Sequence, residues 1–162
     1  MTKMKTSVIV AATLACGLAG AQSLVSERSI SLNAAMELAT TSLERCRADG
    51  YKVTVTVLNR HARAAVVLSD DGVNPHTIEN SMRKAYTAFT TREPSAVTGK
   101  GSQPRLSGFL LLDRTTPLEG GLPIFAGKEL VGSVGISGAP GGDKDAACAQ
   151  AGIDKIAKGL GG

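Results

Sequence analysis

The sequence of 162 residues contains no tryptophan, and aromatic residues make up only 3% of it. A chain so poor in aromatic rings lacks the stacking surface that binders of single-stranded nucleic acid use. Histidine is scarce as well, with two residues, and the three cysteines show neither a C-x-x-C motif nor the Cys/His spacing of a structural zinc site. These shortages argue against nucleic-acid binding and against a structural metal cluster.

A strong excess of one charge is also missing, since the formal net charge is only +4. Lys3 and Lys5 lie in the first 21 residues, which hold no acidic residue, so 18 − 2 = 16 basic residues face 14 acidic ones in the remainder, a net charge of +2. This balance gives no basic surface for nucleic acid. The content of 43% hydrophobic and 20% charged residues is typical of one folded globular domain.

No hydrophobic run reaches the length of about 18 residues that a membrane-spanning helix needs. The apolar stretch 7–20 is shorter, follows Lys3 and Lys5, and ends at Ala19-Gly20-Ala21, the small-x-small pattern of a signal-peptidase site. The sequence therefore predicts a signal peptide over residues 1–21 and a mature chain of residues 22–162. We expect this chain to be periplasmic or secreted after cleavage near Ala21, without a stable membrane anchor.

The mature chain retains two cysteines, Cys46 and Cys148. An even number of cysteines in an oxidising compartment favours a disulfide over free thiols.

Hydrophobic periodicity predicts three helices and five strands in one α+β domain. Ser31 can cap a first helix that ends at Gly50, Asn74-Pro75 begins a second helix that runs to about Arg92, and Asp143 begins a third that ends at Gly159. The predicted strands are 52–57, 64–68, 109–112, 123–125 and 130–136, with a hairpin turn at 126–128. The apolar faces of the first two helices are Leu32, Met36, Ala39, Leu43 and Cys46, and Ile78, Met82, Ala85 and Phe89.

Sequence motifs of catalysis are missing. There is no G-x-S-x-G, and the glycine-rich stretch 132–143 fits neither nucleotide-binding fingerprint, while Asp143 at the following helix start would repel an anion. A tight turn is therefore favoured over an anion site, and a binding protein over an enzyme.

The two histidines differ in their surroundings. His61 lies in a polar turn between two strands and is expected to be solvated. His76 lies in the first turn of a helix, where the helix dipole favours the neutral imidazole that can bind a metal.

Several motifs together resemble the GlcG/HbpS family, which also includes the C-terminal domain of PduO-type proteins. The carriers of this resemblance are the first helix leading into 52–57, the Asp71-Gly72 turn, 84–88 (KAYTA), 120–124 (GGLPI) and 131–138 (VGSVGISG). The resemblance implies a profilin-like three-layer fold with a five-stranded antiparallel sheet between helices. It also implies homo-oligomers and, in several members, binding of haem or a corrinoid. Family members commonly have Asp-x-x-Gly in the first hairpin turn, where this chain has Asn59 and Ala62.

The resemblance also guides the expected site. It places the first and last helices on one face of the sheet, so Cys46 and Cys148 are expected to form a disulfide between them. No single haem ligand is shared by the whole family, so the ligand is inferred from the residues. We expect His76, the histidine at a helix start, to be the axial iron ligand, with Tyr86 as the reserve donor. Arg83, Lys84 and Arg92 could pair with the propionates, and a solvated helix face explains them equally well.

Two functions follow as expectations. The first is an exported protein that binds haem or another tetrapyrrole in storage, scavenging or redox sensing, without turnover. The alternative is an enzyme or accessory protein that acts on a small metabolite or a corrinoid in glycolate- or propanediol-type metabolism.

Overall fold

The computed structural model of the protein describes residues 24–98, 108 and 111–161. The predicted signal peptide, residues 1–21, lies outside them. The described chain contains three α-helices, α1 (Leu32–Ala48), α2 (His76–Thr91) and α3 (Gly142–Ile156), and four strands, β1 (Thr54–Asn59), β2 (Ala64–Ser69), β3 (Gly121–Ala126) and β4 (Glu129–Ser137). It is an α+β fold.

The four strands form one antiparallel sheet in the order β2-β1-β4-β3. The predicted fifth strand, 109–112, is wrong for the two of its residues that can be compared: Leu111 lies in a 3₁₀ turn and Leu112 in a bend, and both are exposed. Phe109 and Leu110 lie outside the described residues. The apolar run there had the composition of a strand, but residues 111 and 112 pair with no strand of the described sheet.

Helices α1 and α3 cover one face of the sheet, and α2 covers the other. The strands alternate accordingly, because successive side chains point to opposite faces. Val55, Val57 and Ile136 belong to the apolar core shared with α1 and α3, whereas Thr54 and Thr56 contact α2. The two faces therefore have different chemistry.

The α1 and α3 face holds the hydrophobic core and a disulfide. Cys46 and Cys148 are fully buried and bonded to each other, with their Cα atoms 5.6 Å apart and a separation of 102 positions in sequence. Beside the disulfide, a Cβ on Gly152 would overlap the Ser42 hydroxyl, so the two helices are in close contact there.

The α2 face is packed through hydroxyl groups and glycines. Thr54 and Thr77 share a hydrogen bond of 2.8 Å, as do Thr56 and Ser81, and the Ser133 hydroxyl donates to a carbonyl of α2. A Cβ on Gly135 would overlap the Ser81 carbonyl oxygen. The helix backbone therefore lies against the sheet, at a distance that larger side chains would not allow.

The exposed sides of α1 and α2 correct the predicted apolar faces. In α1 the predicted residues Ala39, Leu43 and Cys46 are buried, but Leu32 and Met36 are 62% and 42% exposed, and Ala35, Leu38 and Ser42 are buried as well. In α2 the observed buried side differs more from the predicted one. Ile78 is 50% exposed, and the buried residues are Thr77, Ser81, Lys84, Ala85, Thr87 and Ala88. The sheet offers α2 a surface of Thr, Ser and Gly, so the helix buries its small polar side.

The start of α2 differs from the predicted cap. Asn74 makes no side-chain cap; its carbonyl instead accepts a hydrogen bond from the Thr77 hydroxyl. The cap of α1 is confirmed, since the Ser31 hydroxyl accepts from the Ala34 N–H at 3.2 Å.

The turn between β1 and β2 holds a strained residue. Ala62 has a φ of 54°, in the left-handed region, where the resemblance places glycine. Its neighbour Asn59 accepts hydrogen bonds from the N–H groups of His61 and Arg63 and so closes the turn.

We expect Ala62→Gly to raise the free energy of unfolding by about 0.5 to 1 kcal/mol, because relief of the left-handed strain exceeds the added freedom of the unfolded chain. Urea unfolding followed by circular dichroism measures the change. Ala64→Gly in β2 is the matched control and should destabilise. A lower stability of Ala62→Gly would contradict the strain argument.

Candidate functional site

A cleft of about 650 Å³ opens at the end of the sheet, beside the N-terminal half of α2. Its walls come from α2, from the turn that follows β2 and from the connection between β4 and α3, residues 138–141. The side chains on the α2 wall are His76, Thr77, Asn80 and Lys84. The lining is mostly polar, which is unlike a purely hydrophobic ligand pocket.

His76, Asn80 and Lys84 follow one another at a spacing of four residues and therefore lie along one side of α2. Their burial increases in this direction: His76 is exposed, Asn80 is half-buried and Lys84 is buried. Asn80 donates from Nδ2 to the Ser137 hydroxyl at 3.0 Å, across the cleft wall. The three residues form a line from the mouth of the cleft to its floor.

An ion pair between Lys84 and Asp145 forms the floor. The two residues are 3% and 2% exposed, and Lys84 Nζ donates to Asp145 Oδ2 at 2.6 Å and to the Ile136 carbonyl oxygen at 2.9 Å. Asp145 Oδ1 accepts from the Ala139 N–H at 3.0 Å. The pair thus ties α2, the end of β4 and the start of α3 together.

Burial raises the pKa of the Asp145 carboxyl above its ordinary value, because the charged form loses its solvation. The Lys84 ammonium and the Ala139 N–H act in the opposite direction by stabilising the carboxylate.

A shallow depression of about 340 Å³ lies on the other side of His76. His76, Arg83 and Leu118 line it, together with Glu79, Asn80 and Thr116. Arg83 is held by a bond of 2.6 Å from Nη2 to Glu79 Oε1, and this pair also borders an apolar groove of about 430 Å³ that contains Ile78 and Met82. An imidazole, a guanidinium and exposed apolar side chains therefore lie along one stretch of α2.

The structure brings some of the predicted site residues together and separates others. His76 shares the cleft with Lys84 and the depression with Arg83. Tyr86 lines neither, and the Arg114 guanidinium covers its ring at 4.0 Å from the centroid. Arg92 follows the last residue of α2, in the left-handed region. Within the described ranges, no group of three or more His, Cys, Asp and Glu residues could hold a metal ion.

Asp145 and Asn80 are the site residues that the sequence analysis did not single out. Asp145 lies in the first turn of α3, a position where the helix dipole favours any acid and which carries no signal of a buried partner. Lys84 was the residue that could have revealed Asp145. It lies on the same side of α2 as Thr77 and Ser81, and because this side faces the sheet, the lysine needs a buried acidic partner.

The fold and the cleft define a three-layer α+β domain with a polar site at the end of its sheet. The sequence model of the family described as "Haem degrading protein HbpS-like" matches residues 30–154. The chain belongs to this family.

Solved structures agree with this assignment. A double mutant of HbpS from Streptomyces reticuli is 29% identical, with a TM-score of 0.78 over 93% of this chain and 97% of that one. Another crystal structure of HbpS is 31% identical, with a TM-score of 0.77 over 90% of this chain and 97% of that one.

The PduOC:heme complex shares the fold at 23% identity, with a TM-score of 0.72 over 79% of this chain and 95% of that one. No curated protein is significantly similar in sequence. Among residues 24–98, 108 and 111–161, no helix has the length and hydropathy needed to cross a membrane.

Proposed function

We propose that this protein binds haem in the depression beside His76. The observation that carries the proposal is the presence of His76 and Arg83 in one depression, next to the exposed apolar residues Leu118 and Ile78. A tetrapyrrole needs an axial donor for its iron, a cation for its propionates and an apolar surface for its ring. Membership of the HbpS-like family supports this ligand.

The residues present fit haem in their chemistry. The His76 imidazole would donate to the iron, and the Arg83 guanidinium would bind a propionate. When bound, haem would supply redox chemistry at its iron. Tyr86 is the reserve iron donor and Lys84 a further propionate partner. Lys84 is already paired with Asp145, and Tyr86 is covered by Arg114, so each would have to give up a contact.

The cellular role that we propose is storage, scavenging or redox sensing of haem outside the cytoplasm, by a protein released from its signal peptide near Ala21. The buried disulfide supports an oxidising compartment.

We further propose a homo-oligomer, because Ile78 and Leu118 leave apolar surface exposed along α2. A second candidate function, action on a small metabolite or a corrinoid, is favoured by the polar cleft with its buried ion pair.

A hemin titration tests the proposal. Wild-type protein should give a shifted Soret band, and His76→Ala should lose this shift and weaken binding by about tenfold or more, the equivalent of at least 1.4 kcal/mol. His61→Ala is the matched control, since His61 is exposed in the β1–β2 turn, and should leave the spectrum unchanged.

Arg83→Gln and Tyr86→Phe complete the series. Arg83→Gln should weaken binding without moving the Soret band, because it removes a propionate partner but no iron ligand. Tyr86→Phe should have no effect. If wild-type protein binds no hemin, the proposed function is wrong; if His76→Ala behaves as wild type, another residue is the ligand.

A further inference from the structure

The Lys84–Asp145 pair does not line the depression proposed for haem; it forms the floor of the cleft. A buried ion pair is a poor device for stability, because the desolvation of two charges offsets their attraction. A buried titratable group with a charged partner in a cleft is a candidate for a functional site.

Lys84 and Asp145 present a hydrogen-bond donor beside an acceptor. The ammonium donates to Asp145 Oδ2 and to the Ile136 carbonyl, and its third N–H has no acceptor among the described residues. Asp145 Oδ2 accepts only from Lys84 there, so it has a lone pair to spare. Because Nζ and Oδ2 are 2.6 Å apart, both can contact neighbouring atoms of one small molecule.

The charges of the lining indicate the class of molecule. Lys52 and Lys84 are balanced by Glu119 and Asp145, so the cleft carries no net charge when His76 is neutral. Asn80 and Ser137 add amide and hydroxyl groups above the floor, and Asn80 Oδ1 has no donor among the described residues. These groups suit a neutral compound with hydroxyl groups rather than an anion or an apolar ligand.

We propose that Lys84 and Asp145 form a proton-transfer centre that interconverts small, neutral hydroxyketones and hydroxyaldehydes. Asp145 Oδ2 takes the proton from the hydroxyl-bearing carbon, and the electron pair of that C–H bond forms a carbon–carbon double bond. The π electrons of the carbonyl group move to its oxygen, which takes a proton from Lys84. The product of this step is an enediol.

The reverse step completes the isomerisation. Asp145 returns its proton to the former carbonyl carbon, and the hydroxyl group on the other carbon returns a proton to Lys84 as it becomes the new carbonyl. Both residues regain their starting states, and no oxidant, reductant or co-reactant is needed. None of these steps uses haem.

Deuterium exchange tests the activity on the full chain. Dihydroxyacetone in D₂O, followed by ¹H NMR, should lose its C–H signals and form glyceraldehyde about 100-fold faster with wild-type protein than in buffer, the scale of general acid–base catalysis. The double variant Lys84→Met/Asp145→Asn, neutral and similar in size, should fall to the buffer rate while circular dichroism shows it folded. Buffer-level exchange with folded wild-type protein would overturn the proposal, as would wild-type exchange in the folded double variant.

Two further variants complete the test. Arg45→Gln/Asp49→Asn removes an exposed ion pair of α1 and should keep the wild-type rate. Asn80→Leu narrows the cleft without touching the ion pair and should abolish exchange, so it tests the proposal even if the double variant does not fold. Full exchange activity in Asn80→Leu would show that the reaction does not take place in this cleft. The folded double variant should bind hemin with the wild-type affinity. This measurement distinguishes a failure of the proposed reaction from a failure of the proposed haem site.

Discussion

Replacing both Cys46 and Cys148 by alanine is expected to lower the free energy of unfolding by about 4 to 5 kcal/mol in the chain-entropy model. The disulfide spans 102 residues, so it removes a large part of the freedom of the unfolded chain. Both side chains are fully buried between α1 and α3, so the variant also loses core packing. Urea unfolding of the two proteins measures the difference.

Thiol chemistry provides the control. The oxidised wild-type protein should show no reactive thiol from Cys46 or Cys148 after unfolding without reductant. Its reduced form should unfold at a lower urea concentration than the oxidised form, but not below that of the alanine variant, because the two thiols still fill the core. Equal midpoints for the oxidised wild-type protein and the variant would show that the bond adds nothing to stability.

The second large effect is expected from Lys84→Met. This change leaves the Asp145 carboxylate buried without its counter-charge, and at about pH 7 it should cost roughly 3 to 5 kcal/mol of unfolding free energy. Lys84→Met/Asp145→Asn should recover most of that loss, because no charge remains buried and the asparagine oxygen can still accept from the Ala139 N–H. Chemical unfolding of the three proteins under one buffer measures both values.

The loss in Lys84→Met should depend on pH. Burial raises the pKa of the Asp145 carboxyl above its ordinary value of 3.8, and loss of the lysine raises it further. A raised folded-state pKa gives stability that is fully present below the unfolded-state pKa and lost as the pH rises through the folded-state pKa. Lys84→Met should therefore approach the wild-type stability as the pH falls towards 3.8. A stability difference between Lys84→Met and wild type that stays constant with pH would show that the buried Asp145 carboxylate is not its cause.

Elements defined by local signals were predictable from sequence. The Ser31 cap fixed the start of α1, alternation of valine and threonine located β1, and Gly127 in the turn between β3 and β4 marked their hairpin. Each of these signals acts over a few residues, so it survives in the folded chain.

The sequence alone did not show which surfaces pack against each other. The apolar residues Ile78 and Met82 suggested the buried side of α2, but Gly135 and the threonines of β1 made the sheet a better surface for serine and threonine. The site depended on the same information. Lys84 and Asp145 are 61 residues apart, and only the packing of α2 against the sheet shows that they meet.

The position of His76 has a consequence for how the two sites would act together. Its ring borders both the cleft and the depression, and one imidazole cannot ligate iron on one side and contact a second ligand on the other with the same nitrogen. A cleft ligand that used this nitrogen would therefore compete with haem, and occupation of the two sites would be thermodynamically linked. Haem would lower the affinity of the cleft for such a ligand, and the ligand would lower the affinity for haem by the same factor.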